Sequence, residues 1–443
     1  MPMTKRIILL TLAFLLAPKL QFSQPPAVAA KERMVIVISL DGFPAYYLAD
    51  PKLAAPTLRS LIAQGSWAKQ MTPINPTWTW PNHTTMVTGL KPASHGLLYN
   101  GSLIRTDNPL SVKVDPAIPK TQMVRVPTVY DIAWQHGLTT AQVDWVAIND
   151  APTITWAFPE KASTTDPLVK EMMSAKVIQA SDVEGNAGIV WRDDIWTKAG
   201  EYLIRKHHPN LLLFHLLTGD STQHTYGPKT LAAYDAVAFL DSCVRRLVDA
   251  VKEAGMYDCT TFLVVSDHGF RAVRKQIFVK DVVAAAHLDA DVQVVPEGGS
   301  AMIYLAKNRR QELLQQMKTS FAATEGVERV VGEAEYAALG YPLPSQDSQM
   351  PDLIALAKPD YGFAAGSGHD ESAVRSIAGT IGAHGYLNTD PEMQAIFIAS
   401  GYGIKRGVEL DHIANTSIAP TLAKLLGIEL PKTLEPPLTQ ILK

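Results

Sequence analysis

Cysteine is almost absent from this chain, with two residues, Cys243 and Cys259, among 443. That excludes a disulfide-built scaffold and a cysteine-rich metal site. Cys243 falls in a long expected helix and Cys259 at the start of the strand after it, so geometry decides whether they pair. An excess of charge is lacking too: 40 Lys and Arg stand against 43 Asp and Glu, a formal net charge of −3. A nucleic-acid polymer is therefore not an expected partner. Beyond residue 30 no apolar run is long enough to span a bilayer. There is no internal repeat and no low-complexity tract. What is present is an ordinary globular composition, 47% hydrophobic and 19% charged. The length calls for one large domain with an insertion, or for two domains.

The first 30 residues read as a signal peptide. Lys5 and Arg6 precede an apolar run from Ile7 to Ala17, and Ala27-Val28-Ala29 offers small residues at a cleavage position. The mature chain is expected to start near Ala30 or Lys31, to be exported to a periplasm or secreted, and to carry no membrane span.

From Lys31 onward apolar runs alternate with helical patterns. Met34 to Leu40, Leu211 to Leu217 and Thr261 to Ser266 are nearly continuous apolar segments, the mark of strands buried on both faces of a parallel sheet. Thr139 to Trp145 and Ala395 to Ala399 are further strand candidates. Helices are expected over Ala55–Ala63, after Thr79, and over Val126–His136, Ile195–Lys206, Pro228–Glu253 and Ile418–Leu426. Residues 150–190 are weakly patterned. From about 271 to 375 the rhythm breaks, with strands at Ser300–Leu305 and Leu353–Ala357 and a helix at Arg310–Ala322, which predicts an inserted cap subdomain. The expected fold is α/β, with a mostly parallel central sheet flanked by helices.

Chemistry gathers at the strand ends. Asp41, Asp220 and Asp267-His268 each follow an apolar strand, and in open α/β sheets those ends form the ligand crevice. Carboxylates converging there repel one another unless a cation lies between them. His224 stands four residues after Asp220, and His384 precedes another strand. Three Asp and three His, shared between two ions, suit two zinc ions. In Pro76-Thr77-Trp78-Thr79-Trp80-Pro81-Asn82-His83, Thr79 is placed to cap a helix whose N-terminus attracts anions. A Thr hydroxyl is a poor nucleophile until a metal lowers its pKa. Two metals about 4 Å apart can clamp the attacking and leaving oxygens of a phosphoryl displacement, so Thr79 and the metal site account for each other.

An ordered set of motifs then carries a family resemblance. They are Leu40-Asp41-Gly42; Thr79-Trp80-Pro81-Asn82-His83 with Val87-Thr88-Gly89-Leu90 and Ser94-His95-Gly96; Gly219-Asp220 with His224 and Gly227-Pro228; Ser266-Asp267-His268-Gly269; and His384-Gly385-Tyr386. The chain resembles the nucleotide pyrophosphatase/phosphodiesterase family of the alkaline phosphatase superfamily. The resemblance implies Thr79, rather than Thr77, as a nucleophile that becomes phosphorylated. It implies one zinc held by Asp41, Thr79, Asp267 and His268, and a second held by Asp220, His224 and His384. It further implies Asn100 as a donor to a phosphate oxygen and Trp80 as an aromatic that stacks on a nucleobase or packs on the leaving group. Asp144-Trp145-Val146-Ala147-Ile148 replaces the family's usual leaving-group stretch, which makes Trp145 a substrate-binding candidate and puts nucleotide recognition in question. The partner expected is a small phosphodiester or nucleotide.

The remaining histidines have plainer readings. His369 is a loop residue of the inserted region, His207 and His208 lie at the surface, and His215 is a satisfied core residue. His83 and His95 support the site or cap turns. Asn82-His83-Thr84 and Asn415-Thr416-Ser417 fit the glycosylation pattern, a frequent chance match, and Gly298-Gly299 signals a turn. The alternative activities are a phosphomonoesterase or phosphonate hydrolase of the same superfamily. A non-catalytic binding protein on this fold is the alternative of another class.

Overall fold

Alternate residues of the long apolar runs enter opposite cores. Met34, Ile36, Ile38 and Leu40 pack on one side of the central sheet and Val35 and Val37 on the other. Phe214 and Leu216 face the first core with Phe262 and Val264, while Leu211, Leu213, Leu263 and Val265 face the second. Burial on both faces is why these segments read as unbroken hydrophobic runs. In the computed structural model, which describes residues 28–185, 188–366 and 372–443, the strands Thr260–Val265, Met34–Leu40, Leu211–Leu216, Thr140–Val143 and Trp156–Phe158 are neighbours in that order, all parallel. Ala395–Gly401 joins antiparallel beside Thr260–Val265 and pairs with Ser66–Thr72 on its other edge. The architecture is the α/β fold with a mostly parallel sheet that the sequence pattern implies.

Helices cover both faces. Pro56–Gln64, Ile189–Lys206 and Leu231–Glu253 close one core, and Val129–Gln135 and Ile418–Leu426 close the other. A four-stranded antiparallel sheet (Val292–Glu297, Ser300–Leu305, Leu353–Ala357 and Val327–Val331) and a three-stranded sheet (Asp360–Ala364, Arg271–Phe278 and Val374–Ala383) lie in the stretch where the rhythm breaks. The four-stranded sheet packs Met302 and Tyr304 against Trp78, Leu98 and Tyr99, which joins it to the loop before Thr79.

Several local expectations are corrected. Ser66–Thr72 is a strand whose mixed polarity hid it, because its side chains are only partly buried. The helix expected from Ile195 begins at Ile189. Cys243 is buried in the helix face against the sheet, whereas Cys259 is partly exposed beyond the helix end, and both are free thiols. Asn82 and Asn415 are buried, with 0% and 1% exposure, so neither is an accessible glycan acceptor in the folded protein. Residues 1–27 of the expected signal peptide, and His369, lie outside the described residues.

Gly200 sets how closely the helix Ile189–Lys206 approaches the sheet. A Cβ there would meet Leu247 Cδ2 at 2.8 Å and the Phe214 ring at 2.9 Å. Gly200→Val is expected to lower the unfolding free energy by about 1–3 kcal/mol through overpacking, read as a lower urea midpoint at unchanged slope.

Candidate active site

Register sets the site. Leu40 pairs with Leu216, and Ser39 with both His215 and Val265, so the three central strands end at one level. Asp41 continues the first strand, its N–H donating to Leu216 O at 2.9 Å. The chain then turns at Gly42, with φ of 63°, where a Cβ would come within 2.8 Å of the Phe270 ring. Gly42 N–H donates to Asp267 Oδ1 at 3.2 Å and Phe43 N–H to Ser266 Oγ at 2.8 Å, which ties the first and third strand ends together. Asp220 and His224 stand one turn apart on the helix Thr218–Tyr226.

The three outer histidines share one orientation. Each directs Nδ1 at a backbone carbonyl: His224 at Gly382 O (3.2 Å), His268 at Gly269 O (3.0 Å) and His384 at Thr77 O (2.9 Å). A carbonyl only accepts, so Nδ1 carries the proton and Nε2 offers a lone pair to the site, the arrangement of a metal-ligating imidazole. His224 Nε2 lies 3.4 Å and His384 Nε2 3.8 Å from Asp220 Oδ1. His268 Nε2 lies 3.4 Å from Asp41 Oδ1, 3.2 Å from Asp267 Oδ2 and 3.4 Å from Thr79 Oγ1. Those three carboxylate oxygens, Asp41 Oδ1, Asp220 Oδ1 and Asp267 Oδ2, are buried without a hydrogen-bond partner.

Orphaned buried oxygens facing imidazole lone pairs fit a cation. Zinc bonds near 2.0–2.1 Å put tetrahedral ligand atoms about 3.3 Å apart, close to the separations found. Compact donor groups are formed by Asp220, His224 and His384, and by Asp41, Asp220 and His268. Asp220 belongs to both, so it stands between the two ligand sets that the resemblance implies rather than in one alone.

Without a cation the charges strain one another. Burial, with Asp267 and Asp220 close by, holds Asp41 well above the usual carboxylate range. Burial likewise pushes His384 down, helped by His268 and His224. Asp220 lies low despite its burial because His224, His384 and His268 surround it, and His224 rises to about 9 as its partner. Positive charge placed among the carboxylates relieves this repulsion.

Thr79 is the first residue of the helix Thr79–Thr88, not its cap. Trp78 occupies the cap position, so the Thr79 hydroxyl is not spent on capping and faces His268 instead. Asn82 fixes the approach. Its Oδ1 accepts from Ile74 N–H and from Asn415 Nδ2, both at 2.8 Å, and its Nδ2 donates to Pro76 O and Trp78 O, both at 2.9 Å. Asn100 Oδ1 accepts from Trp80 N–H at 3.0 Å, which leaves its Nδ2 as the free end of the amide. Trp80 and Asn100, with Gln142, Trp145, Ile148 and Ile154, line a cleft of about 690 Å³. Trp145 is a buried wall of that cleft, 4% exposed, with its ring edge against His83.

His215 is satisfied within the core, as expected, but its partners make it part of the site. Nε2 lies 3.0 Å from Asp41 Oδ2 and Nδ1 lies 3.0 Å from Asp144 O and 3.2 Å from Asp144 Oδ2. Although burial opposes its charge, the two aspartates hold its pKa well above the ordinary imidazole value. A polar residue near the end of an otherwise apolar strand was the available signal. His83 directs Nδ1 at Thr79 O at 2.9 Å and packs on His215. It is kept neutral, with burial pushing it down to about 3. His95 bonds Thr85 Oγ1 and Leu97 N and so braces the turn after the helix. Glu297, which had no sequence signal, brings Oε1 to 3.8 Å from His384 Nε2. The protein atoms crowded around its carboxyl keep water from it and push it up to about 7, against the pull of His224.

A sheet with carboxylates and imidazoles at its strand ends defines the class, an α/β protein with a metal-type site on the sheet edge. The model of the family "Type I phosphodiesterase / nucleotide pyrophosphatase" matches residues 35–387. The chain is 24% identical over 422 residues to rat ectonucleotide pyrophosphatase/phosphodiesterase family member 1, covering 92% of this chain and 41% of that protein. Rat family member 7 is 22% identical over 432 residues, with 95% and 89% covered. The chain thus spans about two fifths of the length of the family member 1 relative. Murine ectonucleotide pyrophosphatase/phosphodiesterase 5 superposes with a TM-score of 0.72 at 19% identity, covering 93% of this chain and all of that one. An inactive variant of that murine protein has been solved in complex with AMP. The chain belongs to the type I phosphodiesterase/nucleotide pyrophosphatase family.

Asn82→Ala would leave Ile74 N–H, Pro76 O and the Asn415 amide without this partner, while Trp78 O keeps the Asn82 N–H at 3.3 Å. A loss of about 2–4 kcal/mol in stability is expected, checked by chemical denaturation.

Proposed function

We propose that this protein is a two-zinc phosphodiesterase/nucleotide pyrophosphatase that works through a phosphothreonine at Thr79. The observation that carries the reading is the hydroxyl of Thr79, a residue 9% exposed, set 3.4 Å from His268 Nε2 beside three orphaned carboxylate oxygens. Asp41, Thr79, Asp267 and His268 would hold one ion and Asp220, His224 and His384 the other, with Asp220 facing both sets. When bound, the ions supply Lewis acidity, which lowers the pKa of the Thr79 hydroxyl and offsets charge on the leaving oxygen.

The chain's own groups do the rest. Thr79 Oγ, deprotonated, bonds to phosphorus as the bond to the leaving oxygen breaks, and water later cleaves the Thr79 ester to regenerate the hydroxyl. Asn100 Nδ2, oriented by Trp80 N–H, donates to a non-bridging phosphoryl oxygen. His215 and His83 hold Asp41 and the Thr79 turn in place. The cleft beside Trp80 and Trp145 takes the substrate's organic part, and the AMP complex of the murine relative supports a nucleotide-like group there. The sheets between residues 271 and 383 are read as a cap beside the same edge. Export follows from the N-terminal basic, apolar and small-residue pattern. Among the described residues no helix is long and apolar enough to cross a membrane.

Thr79→Ala is expected to cut turnover of a model phosphodiester by at least about a thousandfold while the melting temperature stays near that of the parent. Near-normal turnover in that variant would sink the reading. Chelation should abolish activity, and zinc should restore both activity and the stability lost with the metal. Under the same conditions the diester should be preferred to the matching monoester.

A further inference from the structure

Glu297 closes the strand Val292–Glu297, and Gly298-Gly299 leads back into Ser300–Leu305. This hairpin tip is pressed onto the loop that carries His384. A Cβ on Gly298 would come within 2.4 Å of His384 O, one on Gly299 within 2.4 Å of Tyr386 N, and one on Gly385 within 2.1 Å of Glu297 O. Gly299 N–H donates to His384 O at 2.8 Å. Three glycines thus permit a backbone-to-backbone contact that fixes the glutamate relative to the histidine. The tip is more than a turn: it delivers a carboxylate to the site.

That carboxylate borders the donor groups, its Oε1 as far from His384 Nε2, 3.8 Å, as Asp220 Oδ1 is. Glu297 is in neither compact set of ligand atoms, and it does not line the cleft beside Trp80 and Asn100. Its side chain is 34% exposed, with Oε1 3.8 Å from His384 Nε2. The His384 ring stacks on His268 with centroids 3.8 Å apart, and His268 Nε2 lies 3.4 Å from Thr79 Oγ1, so the carboxylate reaches the neighbourhood of a phosphoryl group on Thr79 across two imidazoles. No step of the reaction above uses it.

We propose that Glu297 is a charge filter, disfavouring substrates that bring a second negative charge to the phosphoryl site, so that singly charged phosphodiesters are taken over dianionic monoesters. The proposal rests on the phosphodiesterase reading above. Like charges about 10 Å apart, at an effective dielectric constant near 20, are worth about a tenfold change in relative affinity.

The test uses the zinc-loaded full chain at alkaline pH with bis(para-nitrophenyl) phosphate and para-nitrophenyl phosphate, which share a leaving group and differ in charge. Glu297→Gln and Glu297→Ala should each raise the monoester-to-diester ratio of kcat/KM by about tenfold or more, and Glu297→Asp should keep the parent ratio. Calorimetric titration with inorganic phosphate should show tighter binding by a similar factor in the Gln and Ala variants, with zinc content by mass spectrometry unchanged. An unchanged ratio and phosphate affinity would overturn the proposal. So would loss of zinc in Glu297→Gln, which would make the residue a ligand. Failure of the underlying reading shows elsewhere, as a parent enzyme that favours the monoester or as activity in Thr79→Ala.

Discussion

Mutual repulsion among three carboxylates is the constraint on which the rest of this structure depends. Parallel register ends three strands at one level, and the residues that follow place Asp41, Asp267 and Asp220 together, two of them fully buried. Left alone, such a group would protonate or push apart. The fold answers by surrounding it with imidazoles whose Nδ1 protons are already engaged by backbone carbonyls. What remains facing inward includes three carboxylate oxygens without a hydrogen-bond partner. A site of this kind is suited to hold positive charge among its carboxylates.

The same economy governs Thr79. Thr79 opens its helix with an uncommitted hydroxyl because Asn82, one turn along, satisfies the carbonyls and the N–H of the incoming loop. Pro81 falls within the first turn, where a missing N–H costs nothing. His83, on the same helix, braces the Thr79 carbonyl while its ring meets Trp145 and His215. Position, orientation and the hydrophobic wall of the cleft are therefore set by one ten-residue helix and its immediate partners.

Much of this was legible in the amino-acid order. Apolar runs buried on both faces announce themselves, and acidic residues after them point to the sheet edge, so the α/β class and the membership of the strand-end cluster could be read directly. The strand Ser66–Thr72 escaped because partial burial leaves no clean alternation. The role of His215 escaped for the opposite reason, since an imidazole inside an apolar strand looks the same whether or not it touches an aspartate at the strand end. Glu297 could not be read at all, because its placement depends on two backbones meeting across glycines distant in the chain. The free thiols of Cys243 and Cys259 were likewise a matter of geometry that spacing leaves open.

The bond between His384 and Thr77 O joins groups 307 residues apart in the chain. Because His384 follows the two smaller sheets in the chain, the cluster of carboxylates and imidazoles cannot be complete until nearly the whole polypeptide has emerged. Closing so long a loop is entropically slow relative to local folding. An ion bound across it would act as a late latch, rewarding only chains whose distant parts have already met.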